Sequence, residues 1–146
     1  GVIVASEAVT ETGARPSGAQ LSVLVAEDHP MNRKIMGVLL EPIAHKVFSA
    51  ADGEEALKAL SSQRFDLAIL DIQMPKIDGI SLAKAVRQSE ASQGSVALPI
   101  IILSASDSEQ NRTAVAQLGR ASFLAKPLRT QALYECIQEL LFDLAN

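Results

Sequence analysis

The sequence is poor in aromatic residues, cysteine and basic charge, and each shortage excludes a class of protein. Tryptophan is absent from the 146 residues and tyrosine occurs once, while 48% of residues are hydrophobic, so the core is aliphatic. A single cysteine, Cys136, excludes an internal disulfide and a cysteine-based zinc cluster. The net charge of −4 provides no basic surface for nucleic acid, and no apolar run approaches the roughly 20 residues that span a membrane. We therefore expect one soluble domain.

The first 20 residues differ in composition from the rest of the chain. They mix small and polar residues with Gly13, Pro16 and Gly18 and have no sustained hydrophobic period, which is typical of a flexible linker. They also lack the positive start and continuous apolar stretch of a signal peptide. We predict a linker over residues 1–20 and one folded domain over residues 21–146.

Short apolar segments alternate with amphipathic segments from Leu21 onward. The apolar segments are rich in Val, Ile and Phe and are predicted to be strands, at residues 21–26, 46–50, 66–70, 99–103 and 121–125. A helical segment follows each of them. Strands that alternate with helices favour an α/β fold, in which a doubly wound parallel sheet is covered by helices on both faces.

The predicted helices have recognisable faces and ends. The first begins at Pro30 and is expected to bury one apolar face, formed by Met31, Ile35, Val38 and Leu39. The third is predicted from about Ile80 to Arg87, followed by a polar loop. Cys136 has helical spacing with Leu133 and Ile137 in the fifth helix, so we expect a buried thiol.

Capping-box patterns mark the starts of two other helices. Asp52 and Glu55 have this spacing at the second helix, and Ser106 and Glu109 have it at the fourth. In this pattern the first side chain accepts a hydrogen bond from a backbone amide of the first turn, while the acidic side chain reaches back. The two patterns therefore predict where these helices begin.

Polar residues stand where four of the five predicted strands end. Glu27 and Asp28 follow the first strand, Asp71 the third and Ser104 the fourth, while Lys126 follows the fifth. Each has an ordinary explanation as a helix cap, a turn hydroxyl or a solvated lysine. Sheets of this kind, however, bind ligands outside the carboxyl ends of their strands. The joint occurrence therefore predicts a site with three carboxylates, one hydroxyl and one ammonium.

Three converging carboxylates require a cation. Like charges at close range raise at least one pKa unless a cation intervenes. An all-oxygen ligand set suits Mg²⁺, which typically keeps several waters and takes one or two carboxylates directly. His29 is adjacent to Asp28 but falls at the start of the first helix, so we expect a surface imidazole there.

Four motifs resemble the receiver domain of two-component response regulators. They are VLVAEDHPMNRKIM, LAILDIQMPKIDG, PIIILSA and FLAKPL, and the resemblance covers about residues 21–144. It implies a flavodoxin-like (βα)5 fold with strand order 2-1-3-4-5. It also implies that Asp71 is the phosphoacceptor, which takes a phosphoryl group from a phosphohistidine on a partner protein.

The resemblance also implies a ligand set for Mg²⁺. Asp28 and Asp71 would bind the ion directly, Glu27 through water, and Gln73 through its backbone carbonyl. Many receivers have a second aspartate where this chain has Glu27. Lys126 matches the lysine that pairs with the phosphoacceptor and later with a phosphoryl oxygen, where it offsets charge in the transition state.

Two further residues match the switch of the receiver family. Ser104 corresponds to the hydroxyl that would move to hydrogen-bond the phosphoryl group, and Phe123 to the aromatic residue that turns inward as it moves. Plain core packing is the other interpretation of Phe123. The signalling surface would be formed by the fourth helix, the fifth strand and the fifth helix.

The resemblance sets expectations about partners and context. We expect a histidine kinase or a histidine phosphotransfer protein as partner, and a monomer or a weak dimer that forms on phosphorylation. The segments DHPMNRKIM and LDIQMPKIDG look most like receivers at the C-terminus of hybrid sensor histidine kinases, and a stand-alone regulator is the alternative.

The resemblance also implies a location and an activity. A cytoplasmic location is expected, either for the domain alone or for the domain as part of a membrane-anchored sensor kinase. The only enzymatic activity implied for the domain itself is phosphoryl transfer to its own Asp71 and slow self-dephosphorylation.

Two other functions compete with this interpretation. A pseudo-receiver would keep the fold but respond to partner binding without phosphorylation, and the intact acidic set argues against it. A small flavodoxin-like binding protein or enzyme is the second alternative. The first strand, however, is followed by EDHPMN and not by a phosphate-binding loop rich in Gly or Ser/Thr.

Overall fold

The chain forms a parallel sheet with helices on both faces. The computed structural model describes residues 21–105 and 108–142. In these ranges the elements are, in chain order, β1 (Leu21–Ala26), α1 (Pro30–Leu40), β2 (Ala44–Ala50), α2 (Gly53–Ser62), β3 (Leu67–Asp71), α3 (Gly79–Gln93), β4 (Ile100–Ser104), α4 (Glu109–Leu118), β5 (Ala121–Ala125) and α5 (Thr130–Phe142). The predicted linker, residues 1–20, lies outside the described residues.

The strand order creates the position at which a site can form. All neighbouring strands pair in parallel, and their order is β2-β1-β3-β4-β5, which confirms the predicted topology. From β1 the chain moves to one edge of the sheet, and from β3 it moves to the other. The carboxyl ends of β1 and β3 therefore lie side by side at the point where strand order reverses, which is where sheets of this class bind ligands.

Two apolar layers hold the sheet. On one face, α2, α3 and α4 contribute Ala56, Leu82 and Val115 to a cluster with the strand residues of that face. On the other face, α1 and α5 contribute Leu40 and Leu133. All residues of β3 and β4 are buried, as expected for central strands of a parallel sheet, which read as continuous aliphatic runs.

The first helix buries a different face from the one predicted. Met36 and Leu40 are buried, whereas Met31, Ile35 and Val38 are 58%, 48% and 66% exposed. The α1 sequence carries apolar residues at helical spacing on two faces, and only packing against β1 and β2 decides between them. The prediction was therefore wrong for three of the four residues, and an exposed α1 face, defined by Met31, Ile35 and Val38, is left on the surface.

The observed N-terminal cap is the predicted residue in α2 and a different residue in α4. The Asp52 side chain accepts a hydrogen bond from the Glu55 amide at 2.8 Å, as predicted, but Glu55 reaches back to the Ala51 amide at 2.6 Å. The cap of α4 is Ser108, which accepts from the Asn111 amide at 3.1 Å, and not Ser106, which lies outside the described residues.

The third helix is longer than predicted. It runs to Gln93 and ends at Gly94, whose φ of 66° is left-handed, instead of ending near Arg87. The polar segment after Arg87 contains Glu, Ala and Gln, which are good helix formers, so polarity there marks a solvated helix face and not a loop. No described helix is both long and apolar enough to cross a membrane.

Candidate functional site

Three carboxylates meet at the reversal point of the sheet. Asp71 is the last residue of β3, and Glu27 and Asp28 directly follow β1. Each of the three offers an oxygen within 4.8 Å of the others. Glu27 and Asp71 are 3% and 4% exposed, whereas Asp28 is exposed to solvent. Two of the charges are thus withdrawn from water, and the third faces it.

Lys126 compensates the two buried carboxylates. Its ammonium nitrogen lies 2.5 Å from Oδ2 of Asp71 and 3.3 Å from Oε1 of Glu27. Burial alone would lower the pKa of Lys126, but hydrogen bonding and charge from Asp71, together with Glu27, outweigh it and raise that pKa above its ordinary value. The ammonium is therefore held in its charged form between the two acids.

Glu27 is fixed by several groups around it. Its Oε2 accepts a hydrogen bond from the His29 amide at 3.2 Å, and its backbone carbonyl accepts one from the Arg33 guanidinium at 2.8 Å. Burial raises the pKa of the Glu27 carboxyl, and the neighbouring Asp71 carboxyl acts in the same direction. His29 itself is exposed and caps α1, since its Nδ1 accepts from the Met31 amide.

The backbone around the site links Asp71 to the other predicted residues. The Gln73 amide donates to Oδ1 of Asp71 at 3.0 Å, so the two carboxylate oxygens have different partners. Ser104 ends β4 and is 3% exposed, and its carbonyl accepts a hydrogen bond from the Lys126 amide at 2.8 Å. The peptide bond between Lys126 and Pro127 is cis. The structure thus brings together every residue predicted for the phosphoacceptor and metal sites.

Phe123 lies apart from these residues, on β5. Its ring is half-buried against the core cluster on the side of α2, α3 and α4. The guanidinium of Arg112, on α4, lies over the ring at 4.7 Å from its centroid, a distance that permits a cation–π interaction. Sequence reasoning missed this contact, because nothing in the local pattern pairs a residue of α4 with one of β5.

The donor set fits a hard divalent cation. All the side-chain ligands on offer are carboxylate oxygens, which Mg²⁺ prefers to nitrogen or sulfur. Oxygens that share one Mg²⁺ at about 2.1 Å lie within about 4 Å of one another. The oxygens of the three carboxylates lie within 4.8 Å of one another, which is close to this spacing. The exposure of Asp28 leaves room for the waters that Mg²⁺ retains.

The fold and the site together define a class of protein: a doubly wound α/β domain with an acidic, lysine-compensated site at its switch point. Residues 23–138 match the family described as the response regulator receiver domain. The chain belongs to this family and is a receiver domain of two-component signalling. Receivers of this family generally bind Mg²⁺, in keeping with the acidic cluster.

Curated relatives extend the similarity to sensor proteins. The sensory/regulatory protein RpfC of Xanthomonas campestris is 34% identical over 82% of this chain, and the sensor histidine kinase GacS of Pseudomonas protegens is 34% identical over 79%. The matched regions are 16% and 12% of those proteins, so the chain spans a small part of the length of these relatives. The expected likeness to receivers carried by sensor kinases is confirmed.

One chain of a solved complex has the same fold as this chain. The complex contains the Saccharomyces cerevisiae histidine phosphotransfer protein Ypd1 and the receiver domain of the response regulator Ssk1. The match has a TM-score of 0.77 and 28% identity, and it covers 84% of this chain and 89% of the other.

Proposed function

We propose that this domain accepts a phosphoryl group on Asp71 in a Mg²⁺-dependent reaction and thereby switches a signalling surface. The observation that supports this most strongly is the buried Asp71 carboxylate, which contacts Lys126 inside a cluster of three acids. The Lys126 ammonium can stabilise an incoming anionic group at Asp71, and the neighbouring acids can hold a cation that offsets the remaining negative charge.

The metal site is formed by four residues in this proposal. Asp28 and Asp71 would hold Mg²⁺ directly, Glu27 would hold it through water, and the backbone carbonyl of Gln73 would supply a further ligand. When bound, the ion neutralises the carboxylates and offsets the negative charge of the transferring phosphoryl group.

The chain itself positions the reacting carboxylate. The Gln73 amide holds Oδ1 of Asp71, while Oδ2 faces Lys126. We assign Oδ2 as the oxygen that attacks phosphorus, because Lys126 is then next to the phosphoryl group that it must stabilise. A new Oδ2–P bond forms as the P–N bond of the donor phosphohistidine breaks, and its electron pair stays on the imidazole nitrogen. The Lys126 ammonium then passes from the carboxylate to a phosphoryl oxygen without leaving the site.

The switch follows from the same event. Ser104 moves to hydrogen-bond the phosphoryl group, and Phe123 changes its position as Ser104 moves. Ser104 lies on β4 and Phe123 on the neighbouring strand β5, at the edge of the sheet next to α4 and α5. The readout is a change on the surface formed by α4, β5 and α5.

The exposed α1 face fits the partner that delivers the phosphoryl group. Met31, Ile35 and Val38 are four and three residues apart, so they form one apolar stripe along α1. The stripe begins three residues after Asp28, beside the acidic cluster. The complex of Ypd1 and Ssk1 joins a histidine phosphotransfer protein to a receiver, and we assign a partner of this kind, or a histidine kinase, to the α1 face. The similarity to RpfC and GacS supports an origin in a hybrid sensor kinase.

The test is phosphorylation by a small phosphodonor, followed by the mass of the intact protein. Wild-type protein with Mg²⁺ and phosphoramidate is expected to gain one phosphate, and Asp71→Asn to gain none. Asp66→Asn is the control, because Asp66 precedes the opposite end of β3 and Asn keeps an acceptor for the Ser22 amide. If Mg²⁺ does not bind and Asp71 stays unmodified, the chain is a pseudo-receiver that responds to partner binding.

A further inference from the structure

The loop between β3 and α3 rests on the first turn of α2. Residues 72–78 of this loop connect the proposed phosphoacceptor, Asp71, to Gly79 at the start of α3. The loop includes Gln73, whose amide contacts the Asp71 carboxylate. Its position therefore determines how one side of the proposed metal site is arranged.

Gly53, the first residue of α2, contacts the loop at a distance that only glycine permits. A Cβ at position 53 would lie 2.1 Å from the carbonyl oxygen of Ile77 and 2.5 Å from its Cβ. Real Cβ contacts do not fall below 3.0 Å, and the atom in the way here is backbone. Any side chain at position 53 would therefore displace the loop by about 1 Å.

Hydrogen bonds and ion pairs hold the loop in this contact. The Pro75 carbonyl accepts from the Gly53 amide at 3.3 Å and from the Ile77 amide at 2.8 Å. Lys76, which has a left-handed φ of 73°, places its ammonium 3.6 Å from Asp52 and 3.3 Å from Glu54. The first turn of α2 thus contacts the loop through both its backbone and its acidic side chains.

The two ends of the loop are held equally closely. A Cβ at position 79 would lie 2.4 Å from the carbonyl oxygen of Asp71, so the start of α3 packs directly on the phosphoacceptor's own peptide group. The Ile72 carbonyl accepts from the Gly79 amide at 3.0 Å, and the Ile72 amide donates to Leu103 of β4 at 2.9 Å. Between these fixed ends, residues 75–77 contact the first turn of α2, and Gly53 makes the closest of these contacts.

We infer that Gly53 is a positioning residue for the metal side of the phosphoacceptor site, acting through the loop to fix Gln73. The inference rests on the proposed function, since it concerns the same Mg²⁺ ion. The three atoms nearest to a Cβ at position 53 all belong to Ile77 of the loop. A side chain there pushes the loop away from α2 and moves Gln73 relative to Asp71. Changes to groups that orient metal ligands typically lower metal affinity by about 10- to 100-fold.

The experiment is a Mg²⁺ titration of the full chain, followed by the amide resonances of Gln73 and Asp28 in two-dimensional ¹H–¹⁵N NMR spectra. Gly53→Ala is expected to raise the Kd for Mg²⁺ about tenfold, with the Gln73 amide displaced before Mg²⁺ is added. Gly37→Ala is the matched control, because a Cβ at position 37 meets nothing within 4 Å. Ile137→Val is a second control, since it weakens the core on the far face of the sheet.

The Kd for Mg²⁺ distinguishes a positioning role of Gly53 from a purely structural one, and the wild-type titration tests the proposed function separately. The titration reports on folded molecules, so a purely structural role would lower the melting temperature and leave the Kd unchanged. A folded Gly53→Ala protein with the Kd of the wild type would overturn the inference. If Gly53→Ala does not fold, Ile77→Ala loosens the same contact without a clash and is expected to raise the Kd less; an unchanged Kd there overturns the inference as well. If the wild type binds no Mg²⁺, the proposed function is wrong, and this inference is wrong as well.

Discussion

The ammonium of Lys126 lies 2.5 Å from the carboxylate of Asp71, although the two residues follow or end strands that are not neighbours in the sheet. β4 separates β3 from β5, and the lysine side chain reaches across the end of β4 to make the contact. The same ammonium also contacts Glu27, beyond β3, so one cation joins the ends of three strands. This ion pair offsets part of the negative charge of the acidic site when no metal is bound.

Removal of this cation should make stability depend more strongly on the metal. Lys126→Met leaves Glu27 and Asp71 buried without their common partner, so in EDTA the free energy of unfolding should fall by about 1–3 kcal/mol. Added Mg²⁺ should stabilise the variant more than the wild type, because the ion restores the missing positive charge. Urea unfolding followed by circular dichroism, with EDTA and with Mg²⁺, measures both effects.

Lys76→Met provides the comparison, since Lys76 forms its ion pairs at 57% side-chain exposure, where water and salt screen such pairs and they contribute little to stability. Equal losses for the two lysine variants, or equal stabilisation of variant and wild type by Mg²⁺, would contradict the role assigned to Lys126.

Because the pKa of Glu27 is raised, replacing this residue with neutral glutamine should increase the free energy of unfolding by an amount that depends on pH. In the metal-free protein the folded state holds the Glu27 proton more tightly than the unfolded chain, whose carboxyl has the ordinary pKa of 4.5. As pH rises from 4.5 through the folded-state pKa, ionisation therefore favours the unfolded state and stability is lost. Glu27→Gln should be more stable than the wild type near pH 7 in EDTA, and the difference should vanish below pH 4.5.

The measurement is the free energy of unfolding of both proteins across this pH range, with exposed Glu139→Gln as the control. A Glu27→Gln protein that is less stable than the wild type at neutral pH would show that Lys126 and the His29 amide outweigh burial at this position.

The exposed α1 face should affect transfer from a protein donor but not from a small one. Replacement of Met31, Ile35 and Val38 by glutamine removes the apolar stripe and should slow phosphotransfer from a phosphorylated histidine phosphotransfer protein by about tenfold or more. The rate with phosphoramidate should not change, because the stripe lies outside the acidic cluster. Val96→Gln, at a residue 82% exposed, is the control. Equal transfer rates from the protein donor would remove α1 from the docking surface.

The contact between Arg112 and Phe123 should appear as an energetic coupling. A cation–π pair at a partly exposed site contributes about 0.5–1 kcal/mol. A double-mutant cycle with Arg112→Met and Phe123→Leu should give a coupling of this size in the free energy of unfolding, and Arg112→Lys should retain part of it. Strict additivity of the two substitutions would mean that Arg112 does not hold the proposed switch residue.

Much of the fold was predictable because the central strands are buried and form continuous aliphatic runs. Together with the apolar segments of the edge strands, these runs located all five strands to within two residues of the observed ends. The buried face of α1 was not predictable, because Met31, Ile35 and Val38 compete with Met36 and Leu40 at the same helical spacing. Which set is buried depends on packing against the sheet.

Part of the candidate site was likewise predictable from the sequence, and part was not. Glu27, Asp28, Asp71 and Lys126 could be grouped from the sequence, since carboxyl ends of parallel strands meet at one edge of the sheet. The contacts of Arg112 with Phe123 and of Gly53 with Ile77 could not. Each joins two segments that share no local pattern. The roles assigned to Glu27, Asp28, Asp71 and Lys126, and those assigned to Gln73, Ser104 and Phe123, all stay predictions.

The central claim is that Asp71 is the phosphoacceptor and that the reaction requires Mg²⁺. The most direct measurement is to treat the wild-type chain with phosphoramidate, reduce the acyl phosphate with borohydride, and locate the modified residue by tandem mass spectrometry. The account predicts modification at Asp71 with Mg²⁺ and almost none in EDTA. Modification at another carboxylate, or equal modification of Asp71 in EDTA, would contradict it.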